Sequence, residues 1–491
     1  MSRKTVALAR GDGIGPEITE AVLSILHSSG AEVDFKEISI GEKVYLEGHP
    51  SGIATNSWDL LCECDAFLKA PITTPQGKGF KSLNVTVRSA LGLFANVRPC
   101  RSYTPYIPSK HPGMDVVIIR ENEEDLYAGI EYKVSPESVH ALKVISRGGC
   151  ERIIRYAFEY AKSQGRKKVT CFCKDNILKL SDGLFSSVFD EIAKEYPQIE
   201  SEHWIIDIGS AKLADRPEGF DVIVCANLYG DIISDIAAQI AGSVGLAGSA
   251  NIGKKHAMFE AIHGSAPRRA GQNLANPSGL LMGALMMLDH LGLSKSSALI
   301  YNAWAKTIEE GIHTYDLYDP SLSTQKVGTR EFAKEIVGNL GQVPGNIPTR
   351  NTNNKEQTKI SFTHSSPQQR ETTASHQDYD GIDLFVTLEG TSESDNRAQE
   401  LATRLQASLQ NLPHPDATQW KLEGISNRGS CLWPEVKPFA LCSDHYRCRF
   451  TLKNCSRVSA LSLAAFLAKD FIISQTHLLL KDGYTLLPHQ Q

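Results

Sequence analysis

Three arginines, Arg88, Arg98 and Arg120, stand close to Ser82 and Asn84, and the last of them opens the run Arg120-Glu-Asn-Glu-Glu-Asp-Leu-Tyr127. A guanidinium grips a carboxylate through a rigid two-donor fork, so three of them converging would hold a small poly-anion such as a tricarboxylic acid. Spacing alone does not make them converge. Exposed charge is the ordinary fate of arginine, and three solvated side chains satisfy the same spacing.

Further motifs stand in order around this stretch. Gly11-Asp-Gly-Ile-Gly-Pro-Glu17 comes first, followed by Lys69-Ala-Pro-Ile-Thr73-Thr74-Pro, Lys81-Ser-Leu-Asn-Val-Thr-Val-Arg88 and Val97-Arg-Pro99. Lys174-Asp-Asn-Ile-Leu-Lys179, Asn227-Leu-Tyr-Gly-Asp231-Ile-Ile-Ser-Asp235 and Phe259-Glu-Ala-Ile-His-Gly-Ser-Ala-Pro267 come after. Across residues 4 to 342 this order resembles the isocitrate and isopropylmalate dehydrogenases, the β-decarboxylating dehydrogenase family. The order of many motifs is far more specific than any one of them.

Oxidising a 2-hydroxy acid requires a base for the hydroxyl proton and a hydride acceptor, and the decarboxylation that follows requires an electron sink at the new ketone. Asp231 and Asp235 are four apart and share a face if helical, and Asp207 ends the run Trp204-Ile-Ile. Three carboxylates suit a hard Mg²⁺ or Mn²⁺, although a solvated helix face explains Asp231 and Asp235 equally well. The resemblance selects metal ligation by Asp207, Asp231 and Asp235. It also implies that Lys174 assists removal of the hydroxyl proton and that Tyr127 protonates C3 after carbon dioxide leaves. Lys174 and Asp207 are expected to come from a partner subunit, so the active form is expected to be a homodimer or a higher homo-oligomer.

Thr74, Ser82, Asn84, Arg88, Arg98 and Arg120 are the expected substrate ligands. Ser82 and Asn84 offer hydrogen bonds where the isopropylmalate enzymes place leucines, and burying a third carboxylate unpaired would be costly, so isocitrate is the expected acid. The cofactor is expected to meet Lys69, Thr73, Thr74, Arg216, Glu260, His263, Gly264, Ser265, Ala266, Arg268, Arg269, Asn276 and Tyr315. NAD-dependent relatives carry an acidic residue just after the Pro267 position, whereas Arg268-Arg269 would attract a 2′-phosphate. Asp319 departs from the pattern, standing where some NADP-dependent relatives have another arginine. The expected reaction is oxidation and decarboxylation of isocitrate to 2-oxoglutarate with reduction of NADP, a step of the tricarboxylic acid cycle. The alternatives are an NAD-linked relative acting on homoisocitrate, isopropylmalate or tartrate, and a non-catalytic regulatory subunit, which would have no need of the complete set of chemical groups.

These residues need elements to position them. Residues 1 to about 342 alternate β-branched runs such as Thr5–Ala9, Asp115–Ile119, Lys168–Phe172 and Asp221–Cys225 with helical stretches, the pattern of a parallel, doubly layered α/β fold. Pro16 stands where the third glycine of a Rossmann loop belongs, which rejects that nucleotide site. The resemblance implies a non-Rossmann, two-domain fold: a large cofactor-side domain of residues 1–94 with 255–342, and a small domain of residues 95–254 carrying the substrate, metal and dimer side. Residues 348–379 are too polar to form a core and read as a linker. Residues 380–491 read as a βαββα domain, ferredoxin-like or ACT-like, with Ala398, Leu401, Ala402, Leu405 and Leu409 on one helical face. This part resembles an extra C-terminal domain of some bacterial members of the family. The apolar run Val458–Leu480 is interrupted by Lys469 and Asp470 and reads as a packed helix, not a membrane span.

With 51 basic and 56 acidic residues, the chain carries no excess charge to mark it as a nucleic-acid or membrane-surface binder. Its first residues read as a strand and not as a signal peptide. The eleven cysteines are odd in number and read as reduced thiols of a cytoplasmic protein. Cys62-Glu-Cys64 and Cys171-Phe-Cys173 lack a histidine or a second cysteine pair at zinc spacing, so both read as structural.

Overall fold

The structure, a computed structural model, describes residues 3–49, 51–74, 82–351, 379–388, 396–413, 419–434 and 442–481. The expected linker and the chain's last ten residues lie almost wholly outside these segments. Two compact units emerge: Met1–Ala128 with Lys143–Thr363, and Gly129–Leu142 with His364–Gln491.

The first unit is built on one ten-stranded sheet. Its order is Val33–Glu37, Lys4–Ala9, Ala66–Lys69, Ala257–Ala261, Gly248–Ile252, Ala95–Arg101, Asp115–Glu121, Val222–Cys225, Lys168–Cys173 and Glu200–Ile205. The β-branched runs become strands because helices cover both faces of the sheet, which leaves Val222–Cys225 buried along its whole length. The outer strands on each side pair in parallel, as the sequence suggests. The middle does not, because Ala257–Ala261, Gly248–Ile252, Ala95–Arg101 and Asp115–Glu121 pair antiparallel. The cause lies in the connections. Gly248–Ile252 turns into Ala257–Ala261 through residues 253–256, closed by the Gly253 N–H donating to the His256 carbonyl at 2.9 Å, and so short a turn permits only antiparallel pairing.

Pro16 lies in the first turn of the helix Gly15–Ser28 and, without an N–H to donate, suits that position. Lys69, Arg120, Lys174 and Asn227 all lie at or just beyond the carboxyl ends of parallel strands, where open α/β sheets form their crevices.

In the second unit five antiparallel strands are ordered Ser430–Trp433, Lys421–Asn427, His445–Cys455, Tyr379–Thr387 and Ile472–Leu480, with helices Asn396–Gln410 and Arg457–Leu467. Without the short edge strand Ser430–Trp433, this is a ferredoxin-like arrangement, richer by one closing strand than the expected βαββα order. The run Val458–Leu480 is not one helix. Ser456 caps Arg457–Leu467, accepting from the Ser459 N–H at 3.0 Å, and Lys469-Asp470 fall in the turn before the edge strand Ile472–Leu480. Ala398, Leu401, Ala402, Leu405 and Leu409 are buried in the unit's own core. Arg449 and Asp383 face each other on paired strands, joined by two hydrogen bonds of 2.8 Å, and a slip of one residue would break both.

Residues 129–142, which the sequence reading assigns to the small domain, belong to this second unit. Ser135 donates to Asp444 at 2.6 Å, and His140 meets Gln475 at 2.9 Å and the ring of Phe385.

Candidate active site

Leu83 and Val87 are buried on one face of the helix Leu83–Ala90, so Asn84 and Arg88, four apart, share another and line a cleft of 190 Å³. From the adjoining strands Arg98 and Arg120 line the same cleft, together with Ser82, Tyr127, Asp231, Lys69, Glu260, His263 and Gly264. The three arginines therefore converge. All three are buried, and each is held by specific partners.

Arg120 directs Nε and Nη2 to the Oδ1 atom of Asn227, at 3.0 and 2.7 Å, and Nη1 to Asp231. Gly230 makes this possible, because a Cβ there would lie 2.5 Å from the Cγ atom of Arg120. Arg98 donates to Asn96 and Ser234, both at 2.6 Å, and its Nη1 lies 3.3 Å from Asp231 and 3.7 Å from Asp235. Arg88 donates to Glu260 at 2.8 Å. Lys69 meets the other oxygen of Glu260 at 2.7 Å, and Asn251 donates to the same carboxylate at 2.8 Å. Asn96, Asn227, Ser234 and Asn251 carry no role in the sequence reading, because they act through the arginines and Glu260. The run Asn227-Leu-Tyr-Gly-Asp231 contained the signal for one of them.

The fields in the cleft are strong. Burial, with Arg98 and Arg88 nearby, pulls the Arg120 guanidinium down to about 10, so it stays charged at neutral pH. Burial alone would raise the Asp231 carboxyl, but Arg120 and Arg98 outweigh it and hold the group below its ordinary range. Glu260 behaves alike, with Lys69 and Arg88 overcoming full burial to hold it far below the usual carboxylate range. Burial raises the Tyr127 phenol against the opposing pull of Arg120 and keeps it protonated.

Two of the three carboxylates expected at a metal, Asp231 and Asp235, lie one turn apart on the helix Asn227–Ile240 and share Arg98. The third, Asp207, opens the exposed end of the helix Ile206–Asp215, where Lys174 donates to it at 2.6 Å and lowers its affinity for a proton. Neither Lys174 nor Asp207 lines the cleft of its own chain. Asp231 and Asp235 fit a hard cation by donor type, but one copy brings only two such carboxylates together.

Of the expected cofactor residues, Thr73 and Ser265 hydrogen-bond at 2.8 Å, and the Arg269 guanidinium lies over the Tyr315 ring, 4.6 Å from its centre. Asn276 donates to Asp316 at 3.0 Å. Ala266 is left-handed, with φ 39°, and turns the chain into Pro267–Arg269. The glycine loop near the N-terminus braces this segment: Ile14 N–H donates to the Ser265 carbonyl at 2.9 Å, and Asp12 accepts from Thr73 N–H at 2.9 Å. Thr74 donates to Ser82 at 3.3 Å. Arg268 is exposed, and Arg216, beside Asp215, lies at the far end of the helix that Asp207 opens. Asp319 accepts from Ser321 in a local turn, at 2.8 Å from its N–H and 2.5 Å from its hydroxyl. Asn84 Oδ1, Arg88 Nε and His263 Nε2 are buried without partners, three unmet polar atoms on the wall of one cleft, as fits a site built for a polar molecule.

Residues 5–336 match the model of the isocitrate/isopropylmalate dehydrogenase family, and residues 377–481 match that of the bacterial isocitrate dehydrogenase C-terminal domain. The chain is 51% identical over 452 residues to an isocitrate dehydrogenase [NADP] of Rickettsia bellii, covering 91% of this chain and 90% of that one. It is 39% identical to the isocitrate dehydrogenase [NADP] of Thermus thermophilus, covering 91% of this chain and 87% of that one. The fold superimposes on the crystal structure of the TT0538 protein from Thermus thermophilus with a TM-score of 0.89 and 36% identity, covering 99% of this chain and 96% of that one.

Proposed function

The chain belongs to the isocitrate/isopropylmalate dehydrogenase family, and from that premise we propose how its cleft works. The reaction is the oxidative decarboxylation of isocitrate to 2-oxoglutarate and carbon dioxide with reduction of NADP. The observation that carries the assignment of substrate is the convergence of Arg88, Arg98 and Arg120 in one 190 Å³ cleft with Ser82 and Asn84. Three guanidiniums match three carboxylates, and an isopropyl group would leave polar atoms of Ser82 and Asn84 unpaired, which penalises binding of the wrong acid.

Arg88, Arg98 and Arg120 bind and orient the acid. Lys69 and Glu260 fix Arg88, and Asn227 and Ser234 fix Arg120 and Arg98. Lys174 assists removal of the hydroxyl proton as the hydride leaves C2. Tyr127, kept protonated by burial, gives a proton to C3 after carbon dioxide departs, so the two proton transfers balance. A divalent cation, Mg²⁺ or Mn²⁺, would be held by Asp231 and Asp235 together with Asp207 of a second copy and would polarise the substrate oxygen as a Lewis acid. NADP would be bound along Thr73, Thr74, His263–Ala266, Asn276 and Tyr315, with Arg268, Arg269 and Arg216 for its 2′-phosphate, and would serve as the hydride acceptor.

Because Lys174 and Asp207 do not line their own cleft, we assign them to the cleft of a second copy, which makes the working form a homodimer or a larger homo-oligomer. The catalytic unit divides into a cofactor lobe, 1–94 with 255–342, and a substrate lobe, 95–128 with 143–254. The eleven cysteines are thiols, none of them in a disulfide, which suits work in the cytoplasm. No helix among the described residues is long and apolar enough to cross a membrane.

The test is a steady-state assay with isocitrate, isopropylmalate, homoisocitrate and tartrate, each with NADP and NAD in the presence of Mg²⁺. The highest kcat/KM is expected for isocitrate with NADP. A higher value for any of the other three acids would overturn the assignment of substrate.

A further inference from the structure

Parallel pairing of Lys168–Cys173 with Glu200–Ile205 sets Cys171 opposite His203, and at the carboxyl end of these strands three unlike side chains meet. The Cys173 Sγ atom lies 3.1 Å from the His203 Nε2 atom, and the same nitrogen lies 3.6 Å from the Asp175 Oδ2 atom. All three ligand atoms lie within 4.8 Å of one another. We propose that Cys173, His203 and Asp175 form a binding site for a borderline-soft divalent cation such as Zn²⁺, distinct from the carboxylate site on the helix Asn227–Ile240.

The donor set decides the class of ion. Thiolate and imidazole select zinc-like metals, whereas Asp231 and Asp235 offer only hard oxygens. Zinc bonds of about 2.3 Å to sulfur and about 2.0 Å to nitrogen put those atoms roughly 3.5 Å apart at a tetrahedral angle. The present 3.1 Å therefore needs to open by only a few tenths of an ångström, and 3.6 Å already suits a nitrogen and an oxygen sharing one ion. His203 and Asp175 are partly exposed, with side-chain exposures of 33% and 23%, which leaves an approach for the ion and room for a water as fourth ligand.

Cys173 and Asp175 flank Lys174, whose Nζ donates to Asp207 at 2.6 Å. Filling the site clamps the backbone on both sides of this lysine, so Zn²⁺ is expected to lower kcat, an effect that rests on the role proposed for Lys174.

The site itself is tested with Co²⁺ added to the full chain in excess Mg²⁺, reading the thiolate-to-cobalt charge-transfer absorption. The band is expected in the parent protein and in Asp231→Asn, and Zn²⁺ should abolish it. Apparent affinity should fall by about 10- to 100-fold or more in Cys173→Ser and in His203→Gln, each checked for retained Mg²⁺-dependent activity so that loss of the fold is not mistaken for loss of a ligand. Absence of the band in the parent, or equal affinity in either folded variant, overturns the site. Zinc should lower kcat of the parent at saturating Mg²⁺ and leave Cys173→Ser unaffected. A cobalt band with kcat unmoved by zinc overturns the restraint on Lys174 and leaves the site standing.

Discussion

The phenol of Tyr127 donates to the Oδ2 atom of Asp231 at 2.6 Å, while Arg120 engages Asp231 and lies over the Tyr127 ring, 4.8 Å from its centre. A proton donor, a carboxylate assigned to the cation and a substrate-binding arginine thus form one contact group. Its members cannot be changed independently.

Tyr127→Phe removes the proton donor and retains the ring beneath Arg120. We expect kcat to fall by about 10²- to 10⁴-fold, the usual worth of a positioned acid, with KM for isocitrate changed far less. A rise in KM for isocitrate with kcat unchanged would mean that Tyr127 serves binding and not proton transfer.

Arg269 rests on Tyr315, and Arg268 beside it is exposed. The double change Arg268→Asp with Arg269→Ile should raise KM for NADP by about 10²- to 10⁴-fold and move KM for NAD much less, since each of the two lost charged hydrogen bonds is worth about 1.5–3 kcal/mol. A parallel rise for both cofactors would remove these arginines from 2′-phosphate recognition.

Glu260 gives a prediction about stability. Lys69 and Arg88 hold its carboxyl far below the ordinary 4.5 despite burial, so the folded state binds its proton less readily than the unfolded chain. The resulting stabilisation is complete above about pH 4.5 and is lost as pH falls towards the folded-state value. Glu260→Gln should cost about 3–5 kcal/mol at pH 7 by leaving two buried cations underpaired, and its stability should fall less steeply below pH 4.5. Urea titrations at a series of pH values measure both effects.

The arginines, Tyr127 and the paired aspartates were legible in the sequence because each stands in a short contiguous motif whose residue types bear directly on the chemistry. The helix Asn227–Ile240 meets the condition on which Asp231 and Asp235 share a face. What escaped depends on contacts between distant segments. His203 reaches Cys173 only because two strands thirty residues apart pair in parallel, so a search for zinc spacing along the chain passes over the pair. The hairpin within 129–142 joins the C-terminal unit through Asp444 and Gln475, more than three hundred residues away. The antiparallel centre of the main sheet was hidden for a different reason, since strands buried on both faces read alike in either direction.

Lys174 and Asp207 hold each other at 2.6 Å, and neither lines the cleft that contains Tyr127 and Asp231. If each working site takes Tyr127 from one copy and Lys174 from another, homodimers of Lys174→Ala and of Tyr127→Phe are both defective at every site. A mixed dimer has one site carrying both changes and one carrying neither. Equal amounts dissociated and reassociated at random should therefore recover about one quarter of wild-type activity, because half the dimers are mixed and each has one intact site of two. Tagging the two variants differently and purifying the mixed species should raise this to about one half per dimer. Mixed dimers of confirmed composition with no recovered activity would place Lys174 and Tyr127 in the same copy's site.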